Sequence, residues 1–61
     1  MYQAGKEVTF SDGSVYMVDK VYTLDAQEMK RLELFHANRV RMTRISGVGS
    51  DILDFAITKE D

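Results

Sequence analysis

The stretch KEVTFSDGSVYMVDKVY, residues 6–22, decides the fold of this chain. Two runs rich in β-branched and aromatic residues flank the dipeptide Asp12-Gly13. This dipeptide is typical of a two-residue hairpin turn, because both positions tolerate the positive φ that the turn requires. Such a turn pairs Ser11 with Ser14 and sets the register of both strands. The sequence therefore predicts an antiparallel β-hairpin as the first unit of the fold.

That register also predicts which side chains share a face, because successive side chains of a strand point to opposite sides. The core face is predicted to hold Val8, Phe10, Val15, Met17 and Val21. The opposite face is predicted to hold Tyr16, Val18 and Tyr22. A strand with one solvated face normally alternates apolar and polar residues, whereas both faces are apolar here. The second face indicates a surface that another molecule covers, although isolated tyrosines and valines also occur on solvent-exposed sheets.

A helix is predicted to follow the hairpin, from Ala26 to Asn38. Asp25 is a suitable N-cap, and Glu28 three residues later completes a capping box. No Gly or Pro interrupts the segment, and apolar residues recur at helical spacing. The stripe that is expected to pack on the sheet contains Met29, Leu32, His36 and Val40.

A second hairpin is predicted after the helix. The segments RVRMTRIS and DILDFAIT alternate in polarity, and the turn signal GVGS, residues 47–50, separates them. A four-residue loop pairs Met42 with Phe55 and gathers the large apolar groups on one face. The alternative continues the helix to about Arg44 and gives a ββαβ chain. The β-branched residues of the first segment favour the hairpin.

These elements predict a single two-layer ββαββ domain of the α+β class over residues 1–61, with one helix on one face of a four-stranded, mostly antiparallel sheet. If the helix crosses over between strands two and three, the orders 2-1-3-4 and 1-2-4-3 are both fully antiparallel, and both stay open. One helix covers one face only. The uncovered face is expected to bind a partner through Tyr16, Val18, Tyr22, Arg39, Arg41, Ile45 and Ile52.

The length and composition indicate how such a domain is stabilised. A chain of 61 residues buries only about 60% of the surface that its unfolded form exposes. With no Cys and one His, it is expected to form no disulfide and no thiolate or His-rich metal site. Small domains without such links are often completed by a partner subunit. We therefore expect a homodimer, in which the second apolar face or a strand edge is covered.

Charge and motifs restrict the function. The net charge of -2 disfavours a protein whose main task is to coat nucleic acid. No segment approaches the ~18 apolar residues of a membrane span, so a cytoplasmic protein without membrane contact is expected. His36 has no second ligand or nucleophile beside it in the sequence, and SGVGSD (residues 46–51) lacks the Lys and the helix of a P-loop. We therefore expect no enzyme, no cofactor and no catalytic residue.

The sequence thus predicts a non-enzymatic protein that binds, and inhibits or adapts, another protein. Arginine and tyrosine are enriched at protein interfaces and fall on the predicted open face. The same residues favour an alternative, a module that stacks and neutralises nucleic acid or a nucleotide. A small product starting at Met1 also suits a phage or another mobile element, where it would inhibit host defence or host machinery in the host cytoplasm.

Overall fold

The computed structural model describes residues 1–58. It contains β1 (Glu7–Thr9), β2 (Val15–Thr23), α1 (Ala26–Leu32), β3 (Asn38–Ser46) and β4 (Ile52–Ala56). All four strands lie in one antiparallel sheet, in the order β1-β2-β3-β4. The predicted α+β class, the ββαββ order of elements and the four-stranded antiparallel sheet are confirmed.

The first hairpin turns through three residues, Ser11–Gly13, instead of the predicted two. Gly13 N donates to Phe10 O, and Phe10 N donates to Ser14 O, both at 2.9 Å. Gly13 has φ +90° and is therefore the residue with a left-handed conformation that three-residue hairpin loops contain. Asp12 Oδ1 accepts from the hydroxyl of Ser14 at 2.6 Å and from its backbone N at 2.9 Å. These two bonds lower the pKa of Asp12 and stabilise the longer loop.

The extra loop residue shifts the register by one and exchanges the faces of β2 from Val15 to Val18. Beyond Asp19, where the register with β3 shifts again, Val21 and Tyr22 lie on their predicted faces. Val8 lies opposite Tyr16, not opposite Met17 as predicted. A slip of one residue sends every side chain to the other face of the sheet. Tyr16 and Val18 are 3% and 1% exposed, so the prediction that they line an open face is wrong. Val15 and Met17, predicted for the core, are only partly buried on the opposite face.

The core lies on one face of the sheet. Its buried side chains are Tyr16, Val18, Val40 and Met42, surrounded by partly buried Tyr2, Val8, Phe10, Leu53, Phe55 and Ile57. Tyr2 precedes the edge strand β1, yet its ring lies edge-on to that of Phe55 on the opposite edge, with centroids 5.9 Å apart. The N-terminal segment therefore crosses this face and covers part of it.

Helix α1 begins as predicted but ends early and lies apart from the sheet. Glu28 N donates to Asp25 Oδ1 at 2.7 Å, which confirms the capping box. The helix ends at Leu32 because Glu33 adopts a left-handed conformation with φ 57°. No residue of α1 is buried, and within residues 1–58 the helix packs against none of the strands. The predicted packing of an apolar helical stripe on the sheet is therefore wrong, and Leu32 is 51% exposed.

Strands β2 and β3 are direct neighbours, so the strand order is neither of the two that the sequence left open. Thr23 lies opposite Asn38, and Leu24 N donates to Ala37 O at 2.9 Å. Residues 24–37, which include α1, therefore form a long loop within a β2–β3 hairpin instead of a crossover. In the described part of the chain, no helix has the length and apolar character to cross a membrane.

The β3–β4 hairpin keeps its predicted faces but not its predicted register. Met42 lies opposite Leu53 instead of Phe55. The loop is longer than predicted, because the last backbone bond before it runs from Arg44 N to Asp51 O at 2.8 Å. A shift of two residues leaves each side chain on its face. The predicted grouping of Met42 and Phe55 on the core face is confirmed.

Candidate functional site

The sheet face opposite the core carries the candidate site. We call it the outer face and define it by the side chains of β2, β3 and β4 that point away from the core: Met17, Lys20, Tyr22, Arg39, Arg41, Thr43, Ile52 and Asp54. Ile45, near the end of β3, is the extra residue of a second register shift and has no counterpart on β2. Helix α1 does not pack on this face, nor does any other element within residues 1–58. The outer face is therefore open to a partner.

A β-bulge at Asp19 shapes this face. Val18 lies opposite Met42, whereas Lys20 lies opposite Arg41. Asp19 is therefore an extra residue with no counterpart on β3. A bulge re-aims the side chains that follow it. Without the bulge Lys20 would point to the same face as Val18, and with it Lys20 joins Arg41 on the outer face.

Tyr22, Arg39 and Asp54 form a hydrogen-bonded network across three strands. The Tyr22 hydroxyl donates to Asp54 and lies 2.7 Å from each carboxylate oxygen. Arg39 Nε lies 3.2 Å from Asp54 Oδ1. The hydrogen bond to ionised Asp54, and then partial burial, raise the pKa of Tyr22, because a phenolate would lie beside the carboxylate. The network neutralises Asp54 and holds the Tyr22 ring in place.

Lys20 and Arg41 carry the remaining positive charge of the outer face. They lie directly opposite each other on β2 and β3, and within residues 1–58 neither forms an ion pair. Like charges in this position destabilise a sheet. The ammonium nitrogen of Lys20 lies 4.8 Å from the centroid of the Tyr22 ring, a cation–π contact that offsets part of this repulsion. The two cations are thus available to an anionic group of a partner.

The other half of the outer face, the apolar half, carries two apolar side chains around a polar pair, in which the Thr43 hydroxyl donates to the carboxylate of exposed Asp19. Met17, Thr43 and Ile52 lie opposite one another on β2, β3 and β4. Ile52 is 49% exposed. Protein interfaces commonly combine an apolar centre with arginine and tyrosine. The outer face offers both, with an apolar half next to a cationic half.

The outer face brings together four of the seven predicted binding residues: Tyr22, Arg39, Arg41 and Ile52. Tyr16 and Val18 are not among them, because both lie in the core, where the Tyr16 hydroxyl donates to Ser50 O at 2.7 Å. Lys20 was not among the predicted binding residues, although it lies two residues before Tyr22 on β2 and therefore shares its face. The one sequence signal of the bulge at Asp19 is the polar pair Asp19-Lys20, which interrupts an apolar run.

The side chains of the outer face offer hydrogen bonds, ion pairs and apolar contact. Within residues 1–58, His, Asp and Glu form no group of three that could hold a metal ion. His36, predicted to lie in the apolar stripe of the helix, is exposed in the loop between α1 and β3.

We expect the bond between Tyr22 and Asp54 to make stability depend on pH in the alkaline range. The pKa of Tyr22 in the folded state is raised above its ordinary value of 10.0. The bond therefore stabilises the fold below pH 10, and this contribution is lost as pH rises through the folded-state pKa. Chemical denaturation from about pH 8 to about pH 12 should show a smaller alkaline loss of unfolding free energy for Tyr22→Phe than for the wild type.

Asp54→Asn is the matched variant, because it keeps the shape of the side chain and removes the charge. It should lower the pKa of Tyr22 towards 10.0 in a spectrophotometric titration of the tyrosines. An alkaline loss of the same size in the wild type and Tyr22→Phe would show that the bond contributes nothing to the pH dependence.

Comparisons of the chain with protein families, with curated proteins and with solved structures found no match. Function is therefore inferred from the outer face and its chemistry.

Proposed function

We propose that this chain is a non-enzymatic protein that acts as a homodimer. It binds another protein through its outer face, and this binding inhibits or adapts the partner. The observation that carries the proposal is the outer face itself. It joins exposed apolar side chains to unpaired cations, and no element within residues 1–58 covers it. Exposed apolar groups that lie together on an open face mark interaction surfaces.

The apolar half supplies the area that would be buried. Ile52 is about half exposed, and partly buried Met17 lies on β2, across Thr43 from it. Removing such side chains from water stabilises a complex by about 25 cal/mol for each Å² of apolar surface buried. Thr43 lies between Met17 and Ile52 and donates its hydroxyl to the carboxylate of Asp19, so a partner would have to accommodate this polar pair.

The cationic half supplies selectivity. Lys20 and Arg41 repel each other in the free protein, and a carboxylate placed between them would relieve that repulsion. A local arrangement that costs stability is expected at a functional site. The partner is therefore expected to present acidic side chains beside apolar ones.

Nucleic acid is the second candidate, and the group of Lys20, Arg39 and Arg41 around the Tyr22 ring favours it. Binders of single strands stack bases on exposed aromatic rings. With Tyr16 in the core, Tyr22 is the aromatic residue of the outer face, and Lys20 covers one side of its ring. A single half-covered ring favours a protein partner over a stacked strand.

The test compares two double variants with the same change of charge. Lys20→Gln/Arg41→Gln alters the outer face, whereas Lys30→Gln/Arg31→Gln alters exposed residues of α1. The immobilised wild type, exposed to a lysate of the source organism, is expected to retain a discrete protein. The first variant should lose it, and the second should keep it.

Titration with single-stranded oligonucleotides at low and at physiological salt completes the test. The proposal expects negligible affinity at about 150 mM salt. The contrary outcome is that the oligonucleotides bind tightly and with a steep dependence on salt, that Lys20→Gln/Arg41→Gln loses this binding, and that no protein is retained. This result would mean that the partner is nucleic acid and not a protein. If both double variants retained the protein equally well, the cations of the outer face would not contribute to its binding, and the outer face would not be the binding site.

A further inference from the structure

Within residues 1–58, strand β4 presents a free edge of backbone hydrogen-bonding groups. It lies at the end of the strand order. Two backbone hydrogen bonds mark the ends of its pairing with β3. Arg44 N donates to Asp51 O, and Ile57 N donates to Asn38 O, each at 2.8 Å. Bonded positions alternate along an antiparallel strand, so Leu53 and Phe55 bond to β3. The N–H and C=O groups on the free edge are those of Ile52, Asp54 and Ala56.

Apart from the charge of Asp54, this edge lacks the features that usually prevent strands from pairing. Natural edge strands are often very short, bulged, or protected by Pro or Lys. Strand β1, at the other edge, has three residues. Strand β4 has five residues, ILDFA, with neither Pro nor Lys, and its pairing with β3 has no register shift. A free and regular edge of this kind is a template for another strand.

We propose that a second copy of the chain pairs with this edge in antiparallel orientation, about a two-fold axis at Asp54. This inference rests on the homodimer in the proposed function and assigns its interface. Only pairing centred on Asp54 uses all three outward-facing residues of β4, because Ile52 then lies opposite the partner's Ala56. The two four-stranded sheets would join into one, and the interface would be isologous.

The side chains of the core face are self-complementary in this register. Leu53 lies opposite the partner's Phe55, and Phe55 lies opposite the partner's Leu53. Both side chains are only partly buried in the single chain. Pairing across an antiparallel ladder brings such side chains within about 5.5 Å between Cβ atoms. The core of each copy would therefore continue into the other.

The two Asp54 carboxylates would face each other on the outer face, where like charges oppose pairing. Each carboxylate is already bonded to Arg39 and Tyr22 of its own chain, so its charge is neutralised and the repulsion across the two-fold axis is reduced. Arg39 Nη2 also lies 3.4 Å from Asp54 O on the free edge. This carbonyl has a second lone pair with which to accept an N–H of the partner. Arg39→Gln should therefore weaken the dimer.

Hydrogen exchange measured by NMR at several protein concentrations, together with sedimentation equilibrium, tests this interface. In the monomer the amides of Leu53 and Phe55 should be protected and the amide of Asp54 should exchange freely. As the mass rises from 7.0 kDa to about twice that value, exchange of the Asp54 amide should slow by about tenfold or more. The amides of Ile52 and Ala56 should slow with it.

Ala56→Pro provides the variant, because it removes an N–H of the free edge without removing a bond to β3. It should stay folded and become monomeric, whereas Ala56→Val should still dimerise. A dimer whose Asp54 amide stays unprotected would overturn the β4 interface and leave the homodimer standing. A mass of 7.0 kDa at all concentrations would overturn both, and capture of a partner by the outer face would still be measured separately.

Discussion

Met42→Ala is expected to cost about 2–5 kcal/mol of the free energy of unfolding, the largest effect of any substitution considered. Met42 is fully buried and packs in the core with Tyr16, Val18 and Val40. The truncation removes apolar surface from the core and leaves a cavity that the sheet can only partly close. A domain of this size rarely gains more than about 3–5 kcal/mol from its core. Most of the variant is therefore expected to be unfolded at 25 °C.

Met17→Ala is the matched control, since it deletes the same atoms from β2 on the outer face. Met17 is only partly buried, so the loss should be clearly smaller. Urea denaturation of both variants at one fixed protein concentration gives the comparison, because dimerisation makes stability depend on concentration. A greater loss for Met17→Ala than for Met42→Ala would mean that the two faces of the sheet are exchanged.

Gly47→Ala is expected to cost about 2–5 kcal/mol, the second largest effect, because strain and a steric clash add together. Gly47 has φ +87°, a conformation that costs energy in any residue with a Cβ. A Cβ at this position would lie 2.7 Å from Ser14 Cα. That contact is with backbone, and Ser14 is buried, so neither partner moves aside easily. The contact joins the β1–β2 turn to the β3–β4 loop, and the variant should loosen both.

Gly13→Ala separates the two causes. Gly13 has φ +90°, but a Cβ there would meet nothing within 4 Å. It should cost only the backbone strain, about 1–2 kcal/mol. The difference in unfolding free energy between the two alanine variants then measures the close approach of Gly47 to Ser14. Losses of equal size would show that this approach has no energetic consequence.

The features that local chemistry determines were predictable from the sequence. The capping box needs only Asp25 and Glu28 at the right spacing, and the structure contains it. A turn forms at Asp12-Gly13, and another at the glycines of the segment 47–50. Each of these features involves residues close in sequence, so neighbouring side chains and backbone conformations suffice to specify them.

The register of the first hairpin could not be predicted in this way. Val15 and Met17 are apolar, and so are Tyr16 and Val18, so the pattern suits either face as the core. The outcome depends on one extra loop residue, which the bonds from Ser14 to Asp12 stabilise. The bulge at Asp19 then reverses the alternation within the same strand. For this reason the predicted outer face contained two core residues, Tyr16 and Val18, and still included Tyr22.

The end of the helix and the strand order depend on contacts distant in sequence. Glu33 takes a left-handed conformation that usually belongs to Gly, so no residue type marks the end of α1. Phe35 is apolar and fits a buried stripe, yet it is 90% exposed. The loop closes where Leu24 N meets Ala37 O. This closure is not visible in the sequence, where a helix between two strands indicated a crossover connection.

The loop of residues 24–37 has a consequence for how the chain folds. Every strand of the sheet pairs with its neighbour in sequence, so no pairing has to wait for distant segments to find each other. Closing a longer loop adds only about 0.6 kcal/mol of entropy for each doubling of its length. Sheets built from such local contacts fold faster than those built from distant ones. The longest ladder, β2 with β3, can therefore form early, and the length of the loop that carries α1 can change during evolution with little effect on the folding rate.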